Sequence, residues 1–329
     1  MRAVTYVDAA GMSALQAAHR DQILGVLAYG EREHRLLVGD LPQAWTGLST
    51  PDASARFEVW TSPTPVALET HDGIACASND DVLFGTIEFA ETGTFEADAL
   101  ANYLRLFARI DRAGYPHLLR VWHYLPQIHL EEDGLERYKR FSMARHEAFV
   151  RSGRDIARDA PAASALGRSP GGAVMAFLAG KHRSAPIENP RQTSAYRYPQ
   201  QYGPRGPTFA RAAEVAWGNQ EQLYVSGTAS IVGHESLHPG DTIGQAEETM
   251  RNLRALLTEA NARTAAGRDW EKLLFKVYLR PGVAHDGVCK RLRNTFGEEA
   301  DVLVLGAEIC RRELLLEIEA IALRSAADL

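Results

Sequence analysis

Two carboxyl groups stand two residues apart near the end of the sequence, at Glu317 and Glu319. The surrounding run, residues 314–320, is rich in Leu and Ile and predicts a β-strand, in which alternate side chains point to the same face. Both glutamates then share a face with Leu315 and Ile321. A carboxyl group buried on such a face loses the hydration of its charged form, so its pKa rises and it can serve as a general acid. The same alternation also fits an edge strand with one hydrated face, on which both carboxylates are ordinary surface groups.

A second chemical feature is the segment of residues 181–211, which combines cations, aromatic rings and prolines. It holds six Lys and Arg residues, three tyrosines and five prolines, against the single acid Glu188. The prolines exclude an α-helix and favour an ordered loop. Because guanidinium groups bind carboxylates through paired hydrogen bonds, we interpret this loop as an anion-binding wall. A solvated loop with surface arginines is the competing interpretation.

The composition bounds the class of protein. The chain has 329 residues and a formal net charge of −6, so a nucleic-acid-binding protein, which needs a basic domain or stripe, is not expected. No run approaches the roughly 18 apolar residues of a membrane span, and residues 1–8 lack the apolar stretch of a signal peptide. The three cysteines form no CxxC pair and the histidines no HExxH pair, which argues against a disulfide framework or a metal site. We therefore expect a cytoplasmic protein without a metal or other cofactor.

The same order of elements occurs twice along the chain. In the first copy a strand at residues 82–89 precedes a helix that begins after the N-cap Thr94 and a strand at residues 118–125. In the second copy a strand at residues 222–232 precedes a helix that begins after Asp241 and a strand at residues 272–279. A helix at residues 284–296 and strands at residues 301–305 and 312–321 complete the chain.

This repetition predicts an α+β fold built from two related units, each a mixed sheet covered on one face by helices. The predicted domains are residues 1–165 and residues 166–329. Coincidence is the alternative, because strands and helices alternate in many α/β proteins.

Several segments carry a resemblance to known families. Residues 223–257 and the closing strand at residues 314–322 resemble the RidA/YjgF fold, which ends in a similar Glu-Ile-Glu-Ala-Ile-Ala strand whose first glutamate lies in a cleft between subunits. The whole chain resembles the chorismatases, enzymes of secondary metabolism built on a RidA-like core. The matching segments are, in order, residues 120–126, 134–145, 188–199, 226–230 and 310–317.

The resemblance to chorismatases implies that Glu317 is the catalytic acid. Chorismate carries an enolpyruvyl ether on a cyclohexadiene carboxylate, and protonation of its methylene carbon turns pyruvate into a leaving group. A carboxylic acid that stays neutral near pH 7 suits that step. Since the substrate has two carboxylates, the site also needs cations and hydrogen-bond donors, and the candidates are Arg145, Tyr196, Tyr198, Arg205 and Arg280. The resemblance assigns no role to Glu319.

Two further positions bear on the product within this family. Chorismatases that add water and release a dihydroxycyclohexadiene carboxylate are expected to carry alanine at the positions of Gly227 and Cys310. Members with cysteine at the position of Cys310 yield hydroxybenzoate, because pyruvate loss is assisted by the neighbouring C4 hydroxyl and the ring becomes aromatic. The chain therefore resembles a 3-hydroxybenzoate synthase, and relatives that also form 4-hydroxybenzoate are not separated from it by inspection.

Two other functions remain open at this point. A RidA-like imine deaminase relies on an arginine about fifteen residues before the strand glutamate, and Val302 occupies that place here. A non-catalytic protein that binds small acids is the other. RidA proteins are trimers with clefts between subunits, and two related units in one chain could supply both walls of such a cleft. We therefore expect a monomer whose partner is the small molecule chorismate.

Overall fold

The computed structural model describes residues 3–30, 40–168, 171–217, 220–263, 268–297 and 300–325. The chain begins with a small sheet of order β1-β4-β2-β3, which helix α1 covers on one side. We call this part the N-terminal sheet. Its elements are β1 (Val4–Val7), α1 (Ala9–His19), β2 (Ile23–Tyr29), β3 (Gln43–Trp45) and β4 (Arg56–Thr61).

A six-stranded mixed sheet follows, with strand order β11-β8-β12-β7-β6-β5. We call it, with its helices, the first unit. Its elements are β5 (Ala67–His71), β6 (Ile74–Ser78), β7 (Val82–Phe89), α2 (Phe95–Ala113), β8 (His117–Pro126), the short hairpin β9 (Glu131–Glu132) and β10 (Leu135–Glu136), α3 (Arg137–Arg151), α4 (Ile156–Asp159), β11 (Ala162–Arg168) and β12 (Ala173–Gly180).

A second six-stranded sheet has strand order β13-β14-β15-β20-β18-β19, and it forms the second unit. Two short 3₁₀ helices, at Ala195–Arg197 and Gln200–Tyr202, lie between its first two strands, and a third lies at Trp270–Lys272. Its elements are β13 (Ala185–Ile187), β14 (Ala212–Trp217), β15 (Gln220–Thr228), the hairpin β16 (Ile231–Val232) and β17 (Glu235–Ser236), α5 (Thr242–Asn261), β18 (Leu274–Leu279), α6 (His285–Phe296), β19 (Asp301–Gly306) and β20 (Leu316–Ser325).

The two units share one topology. In each, three strands form an antiparallel meander, and a long helix then leads to a fourth strand. After a further helix the fifth strand pairs parallel with the fourth: β11 with β8 in one unit and β19 with β18 in the other. The last strand inserts between the third and fourth, as β12 does between β7 and β8, and β20 between β15 and β18. The repeated connectivity supports the predicted pair of related α+β units.

The core explains how the two units fit together. Residues on one face of each sheet pack under that unit's own helices, around Phe107 and Phe149 in the first unit and around Phe275 and Phe296 in the second. The opposite faces meet in a shared core that also includes residues of the N-terminal sheet; Trp60, Trp122, Tyr224, Tyr278 and Ile321 belong to it. Helices therefore cover the outer face of each six-stranded sheet, and the inner faces of both sheets are buried.

Most predicted elements are confirmed within a few residues. Thr94 caps α2 by accepting a hydrogen bond from the amide of Ala97, and Asp241 caps α5 by accepting one from Gly244. The last strand differs most. It begins at Leu316 because residues 311–314 form a turn, closed by the hydrogen bond from the Leu314 amide to the Arg311 carbonyl. Within residues 181–211, all described, there is no α-helix.

The predicted division between residues 165 and 166 falls inside β11. Because the next strand, β12, pairs with both β7 and β8, residues up to Gly180 belong to the first sheet. We propose instead to divide the units between Gly180 and Ala185. None of the described helices is long and apolar enough to cross a membrane.

Candidate active site

A cavity of about 260 Å³ opens where the two units meet. The first unit lines it with residues of β10, α3 and β11, and the second unit lines it with β15, β16, the turn before β20 and β20 itself. The third wall is the loop of residues 188–211, which connects β13 to β14 of the second unit and which we call the joining segment. The lining residues are Glu136, Tyr138, Lys139, Arg145, Ala163, Ser164 and Ala165; Tyr198, Tyr202, Pro207, Phe209 and Arg211; and Gly227, Ala229, Ile231, Cys310, Arg311, Arg312, Glu313 and Glu317.

Glu317 reaches this cavity from β20, where it pairs with Tyr278 of β18. Its side chain is only 4% exposed, so it is not a hydrated edge residue. The pairing of β15 with β20 shifts register between Val225 and Thr228, which places a β-bulge at Gly227. A Cβ atom on Gly227 would lie 1.9 Å from Oε1 of Glu317. The carboxyl group therefore occupies space that any side chain at position 227 would fill.

The surroundings of Glu317 favour its neutral form. Burial, and next the negative charge of Glu319, raise the pKa of Glu317 to about 8, while Arg120 and Arg211 act in the opposite direction. Burial dominates because a carboxylate loses its hydration there. Glu317 is thus mostly protonated at pH 7 and can donate a proton into the cavity.

Cys310 and Tyr138 lie beside this carboxyl group and stay neutral as well. Burial, with a contribution from Glu317, raises the pKa of the Cys310 thiol to about 12. Burial also raises the pKa of the Tyr138 hydroxyl well above its usual value, and Cys310 and Glu317 add to the shift. A thiol with so high a pKa is a poor nucleophile and serves as a weakly polar wall.

Besides the exposed Arg312, three arginines bring positive charge to the cavity. Arg145 of α3 is 3% exposed, and Arg211, which precedes β14, is also 3% exposed. Arg211 donates to the carbonyl of Thr193 and to the hydroxyl of Tyr198, both at 2.7 Å. Arg311 donates to the carbonyl of His234, and its guanidinium group lies 4.0 Å from the ring centroid of Tyr202.

Each of these arginines keeps a buried N–H group without a partner among the described residues. The atoms are Nε and Nη2 of Arg145, Nε of Arg211 and Nη2 of Arg311. Buried guanidinium donors normally find an acceptor, so donors left over around one cavity fit an anionic ligand.

Next to Arg145 lies a hydrogen-bonded pair of side chains, Tyr103 and His123. Its guanidinium group lies 5.7 Å from the ring centroid of Tyr103, whose hydroxyl is 2.5 Å from Nε2 of His123. Nδ1 of His123 is 2.8 Å from the carbonyl oxygen of Ser164, which can only accept, so Nε2 accepts from Tyr103. Burial, and next the charge of Arg145, hold the pKa of His123 well below its usual value.

The structure brings together some of the predicted site residues and not others. Glu317, Arg145, Tyr198, Gly227 and Cys310 all line the cavity, whereas Tyr196, Arg205 and Arg280 do not. Arg205 is exposed to solvent on the joining segment. Arg280 instead donates to the carbonyl of Arg311 at 2.9 Å and lies 3.5 Å from Glu308, so it supports the turn that carries Cys310.

Sequence reasoning missed Arg211 and Arg311 as cavity residues. Arg211 was visible as the last cation of the Arg- and Tyr-rich segment, and Arg311 follows Cys310 directly in a segment already matched to the family. Neither signal showed which of several arginines faces inward.

Sequence reasoning also left Glu319 without a role. In the structure Glu319 is 1% exposed and contacts Arg120, Trp122, Ser164 and Lys276.

At the position of the deaminase arginine, Val302 packs toward the helix side of its sheet, away from the inner face. Among the described residues, no three His, Cys, Asp or Glu side chains gather in a group that could hold a metal ion.

Comparisons with known proteins agree on one family. A family model described as "Chorismatase FkbO/Hyg5-like, N-terminal" matches residues 58–179. A 3-hydroxybenzoate synthase from Streptomyces hygroscopicus is 33% identical over 314 residues, covering 92% of both chains. A chorismatase from Streptomyces rapamycinicus is 35% identical over 317 residues, again covering 92% of both chains. A crystal structure of a chorismatase superposes with a TM-score of 0.87 at 31% identity, covering 97% of both chains.

Proposed function

This chain belongs to the chorismatase family, and from that premise we propose that it converts chorismate to 3-hydroxybenzoate and pyruvate. The observation that carries the proposal is Glu317, a buried carboxyl group at a cavity, with its pKa raised to about 8. Such a group is a proton donor at neutral pH, which is what the enolpyruvyl group requires.

The cations of the cavity suit a substrate with two carboxylates. Arg145 stands on the wall of the first unit, while Arg211 and Arg311 stand on the walls of the joining segment and of the second unit. We assign the two carboxylates of chorismate to these three arginines, with Tyr198 as a further contact. Arg280, Tyr196 and Arg205 then act outside the substrate contacts, and Arg280 positions the turn of Cys310.

The reaction begins with the protonated carboxyl group of Glu317. Glu317 gives its proton to the methylene carbon, and the enolpyruvyl ether becomes an oxocarbenium ion. The C4 hydroxyl oxygen attacks C3 as the C3–O bond to pyruvate breaks, and the proton that this hydroxyl loses replaces the one that Glu317 gave. The resulting 3,4-epoxide opens at its C4–O bond, so the oxygen stays on C3, and rearrangement of the ring hydrogens gives the aromatic 3-hydroxybenzoate. The two products together contain the atoms of chorismate, so the step balances without water, metal or nucleotide.

Cys310 and Gly227 explain why water does not take part. Both line the cavity beside Glu317, and the Cys310 thiol stays protonated. The Cys310 side chain is also larger than the alanine expected at its position in hydrolytic members, so it takes up room that an attacking water would need. The intramolecular C4 hydroxyl then has the advantage over solvent. This reasoning favours 3-hydroxybenzoate over the dihydroxycyclohexadiene carboxylate that hydrolysis would give.

Incubation of the purified protein with chorismate, followed by chromatography, tests the proposal. We expect 3-hydroxybenzoate and pyruvate in equal amounts without added metal or nucleotide. The Glu317→Gln variant should lose turnover yet still bind 3-hydroxybenzoate by calorimetry, which separates an enzyme from a mere acid-binding protein. Chorismate left unconsumed by the wild-type protein contradicts the proposal, and a dihydroxycyclohexadiene product moves it to the hydrolytic subclass.

We also propose that the enzyme works as a monomer. Both walls of the cavity come from one chain, so no second copy is needed to complete the site. Sedimentation velocity at the concentration of the activity assay tests this proposal, and an active species that is only a trimer would contradict it. The cytoplasmic location of the protein stays a prediction.

A further inference from the structure

A cluster of four buried charges lies near Glu317, among residues that do not line the cavity. We call Glu58, Arg120, Lys276 and Glu319 the charge cluster. Each is at most 1% exposed. They come from four strands of three sheets: β4 of the N-terminal sheet, β8 of the first unit, and β18 and β20 of the second unit.

Short contacts join these four groups into one chain. Nζ of Lys276 lies 2.5 Å from Oε2 of Glu58 and 2.6 Å from Oε1 of Glu319. Nη2 of Arg120 lies 2.5 Å from Oε2 of Glu319. With two cations and two carboxylates, the charge cluster is neutral as a whole.

The hydrogen bonds show that Glu319 is built to stay ionised. Oε1 also accepts from the indole of Trp122 at 2.9 Å, and Oε2 accepts from the hydroxyl of Ser164 at 2.5 Å. Burial alone would neutralise this carboxyl group, yet Arg120 and Lys276, with the bonds from Lys276 and Ser164, lower the pKa of Glu319 to about 2. Such complete pairing is what a buried charge needs in order to persist.

Glu319 also stands next to the proposed acid. The two glutamates are two residues apart on one strand, so their side chains leave the same face about 7 Å apart along the strand. The neighbouring charges thus act differently on the two carboxyl groups. Glu319 contacts the cations Arg120 and Lys276, whereas Glu317 has the negative charge of Glu319 beside it.

We propose that Glu319, held ionised by Arg120 and Lys276, is a positioning residue whose fixed negative charge keeps Glu317 in its acid form. The kinetic part of this inference rests on the proposed function, whereas the titration of Glu317 does not. Glu319 does not line the cavity, so its effect passes through Glu317 and not through the substrate.

Other groups that face Glu317 do not provide this effect. Tyr278 of β18, Tyr138 of α3 and Cys310 of the turn before β20 stay neutral and carry no charge toward it. The cations Arg120 of β8 and Arg211 of the joining segment favour the ionised form of Glu317, and Arg145 and Arg311 add positive charge at the cavity. Glu136, Glu313, Lys139 and Arg312 line the cavity as well, and among the acids Glu319 has the largest effect on Glu317. Its loss also uncovers Arg120 and Lys276.

The test is the pH dependence of kcat/KM in Glu319→Gln, with Trp122→Phe as the matched control. Two charges about 7 Å apart in a protein interior shift a pKa by about one to two units, so the alkaline limb should move from about pH 8 to about pH 6.5. Activity then falls by about 15-fold at pH 8 and by less than twofold at pH 5.5. Trp122→Phe removes one hydrogen bond to Glu319 without changing any charge, so its limb should stay at about pH 8.

A purely structural role predicts a loss of activity that is the same at every pH, and that result would overturn the inference. If Glu319→Gln does not fold, the pH dependence of kcat/KM in Glu58→Gln provides the test instead. It leaves Glu319 in place and removes a more distant negative charge, so the limb should move in the same direction by a smaller amount, and an unmoved limb overturns the inference.

Carbon-13 NMR of labelled glutamate side chains measures the pKa of Glu317 without any turnover. The Glu317→Gln variant identifies the Glu317 signal by its absence. A fall in the pKa of Glu317 in Glu319→Gln supports the inference even if the wild-type protein leaves chorismate untouched, in which case only the proposed function fails. If the wild-type protein converts chorismate but the pKa of Glu317 is unchanged in Glu319→Gln, this inference is wrong and the proposed function still holds.

Discussion

Gly227→Ala adds a single methyl group beside the proposed catalytic carboxyl group. The new Cβ would lie 1.9 Å from Oε1 of Glu317, and real Cβ contacts are essentially never closer than 3.0 Å. The backbone at Gly227 is not in the left-handed region, so alanine itself is not strained. The end of the flexible Glu317 side chain has to give way, by more than about 1 Å. A misplacement of that size costs on the order of 100-fold in rate.

We therefore expect kcat for 3-hydroxybenzoate formation to fall about 100-fold in Gly227→Ala, with KM for chorismate within about threefold, because the arginines stay in place. Initial rates by chromatography at pH 7 measure both constants. Gly287→Ala is the matched control, since Gly287 lies on α6 and no atom stands within 4 Å of the place its new methyl group would take, and it should leave kcat unchanged. A Gly227→Ala enzyme that forms 3-hydroxybenzoate within twofold of the wild-type rate would refute the reasoning.

Three further expectations follow from the same site. For the wild-type enzyme, kcat/KM should be level below about pH 7 and fall tenfold per unit above about pH 8, because only protonated Glu317 donates; pyruvate release measures it. The pKa of Glu317 is raised on folding, so the stability it contributes is present below about pH 4 and is lost as the pH rises through 8. Urea denaturation should therefore find Glu317→Gln more stable than wild type at pH 8, by up to about 5 kcal/mol, and equal to it near pH 4. Arg211→Lys keeps the charge but loses the planar guanidinium group, whose Nη2 donates to both Thr193 and Tyr198, so KM for chorismate should rise about tenfold or more while kcat changes less, as steady-state kinetics will show.

Local patterns predicted much of the fold because local physics decides helix starts and strand faces. Thr94 and Asp241 cap their helices as their side chains and positions indicate. The alternation in the last strand is also confirmed: Leu316, Ile318 and Ala320 face the helices, and Ile321 faces the inner core. The family resemblance added what alternation left open, which is the place of Glu317 at a cavity.

Contacts between distant segments were beyond the sequence. Alternation placed Arg280 on the same face as Lys276, yet β18 ends at Leu279 and Arg280 turns to the carbonyl of Arg311. Which arginine of residues 181–211 faces inward depends on the path of a loop without repeating structure, and it is Arg211 rather than Arg205. The partners of Glu319 come from strands up to 199 residues away in sequence, so no local pattern contains them.

The shared topology of the two units has a consequence for how such a protein can change over time. Strand β12 occupies in the first unit the place that β20 holds in the second, but its sequence, AVMAFLAG, contains no ionisable residue. In a ring of identical subunits a substitution appears at every interface at once. A chain that holds two such units is free of that constraint, so its second unit can keep the acid while its first unit supplies Arg120, Arg145 and Ser164. The asymmetry of the molecule is thus what lets a single mutation change one wall of the active site and leave the other wall intact.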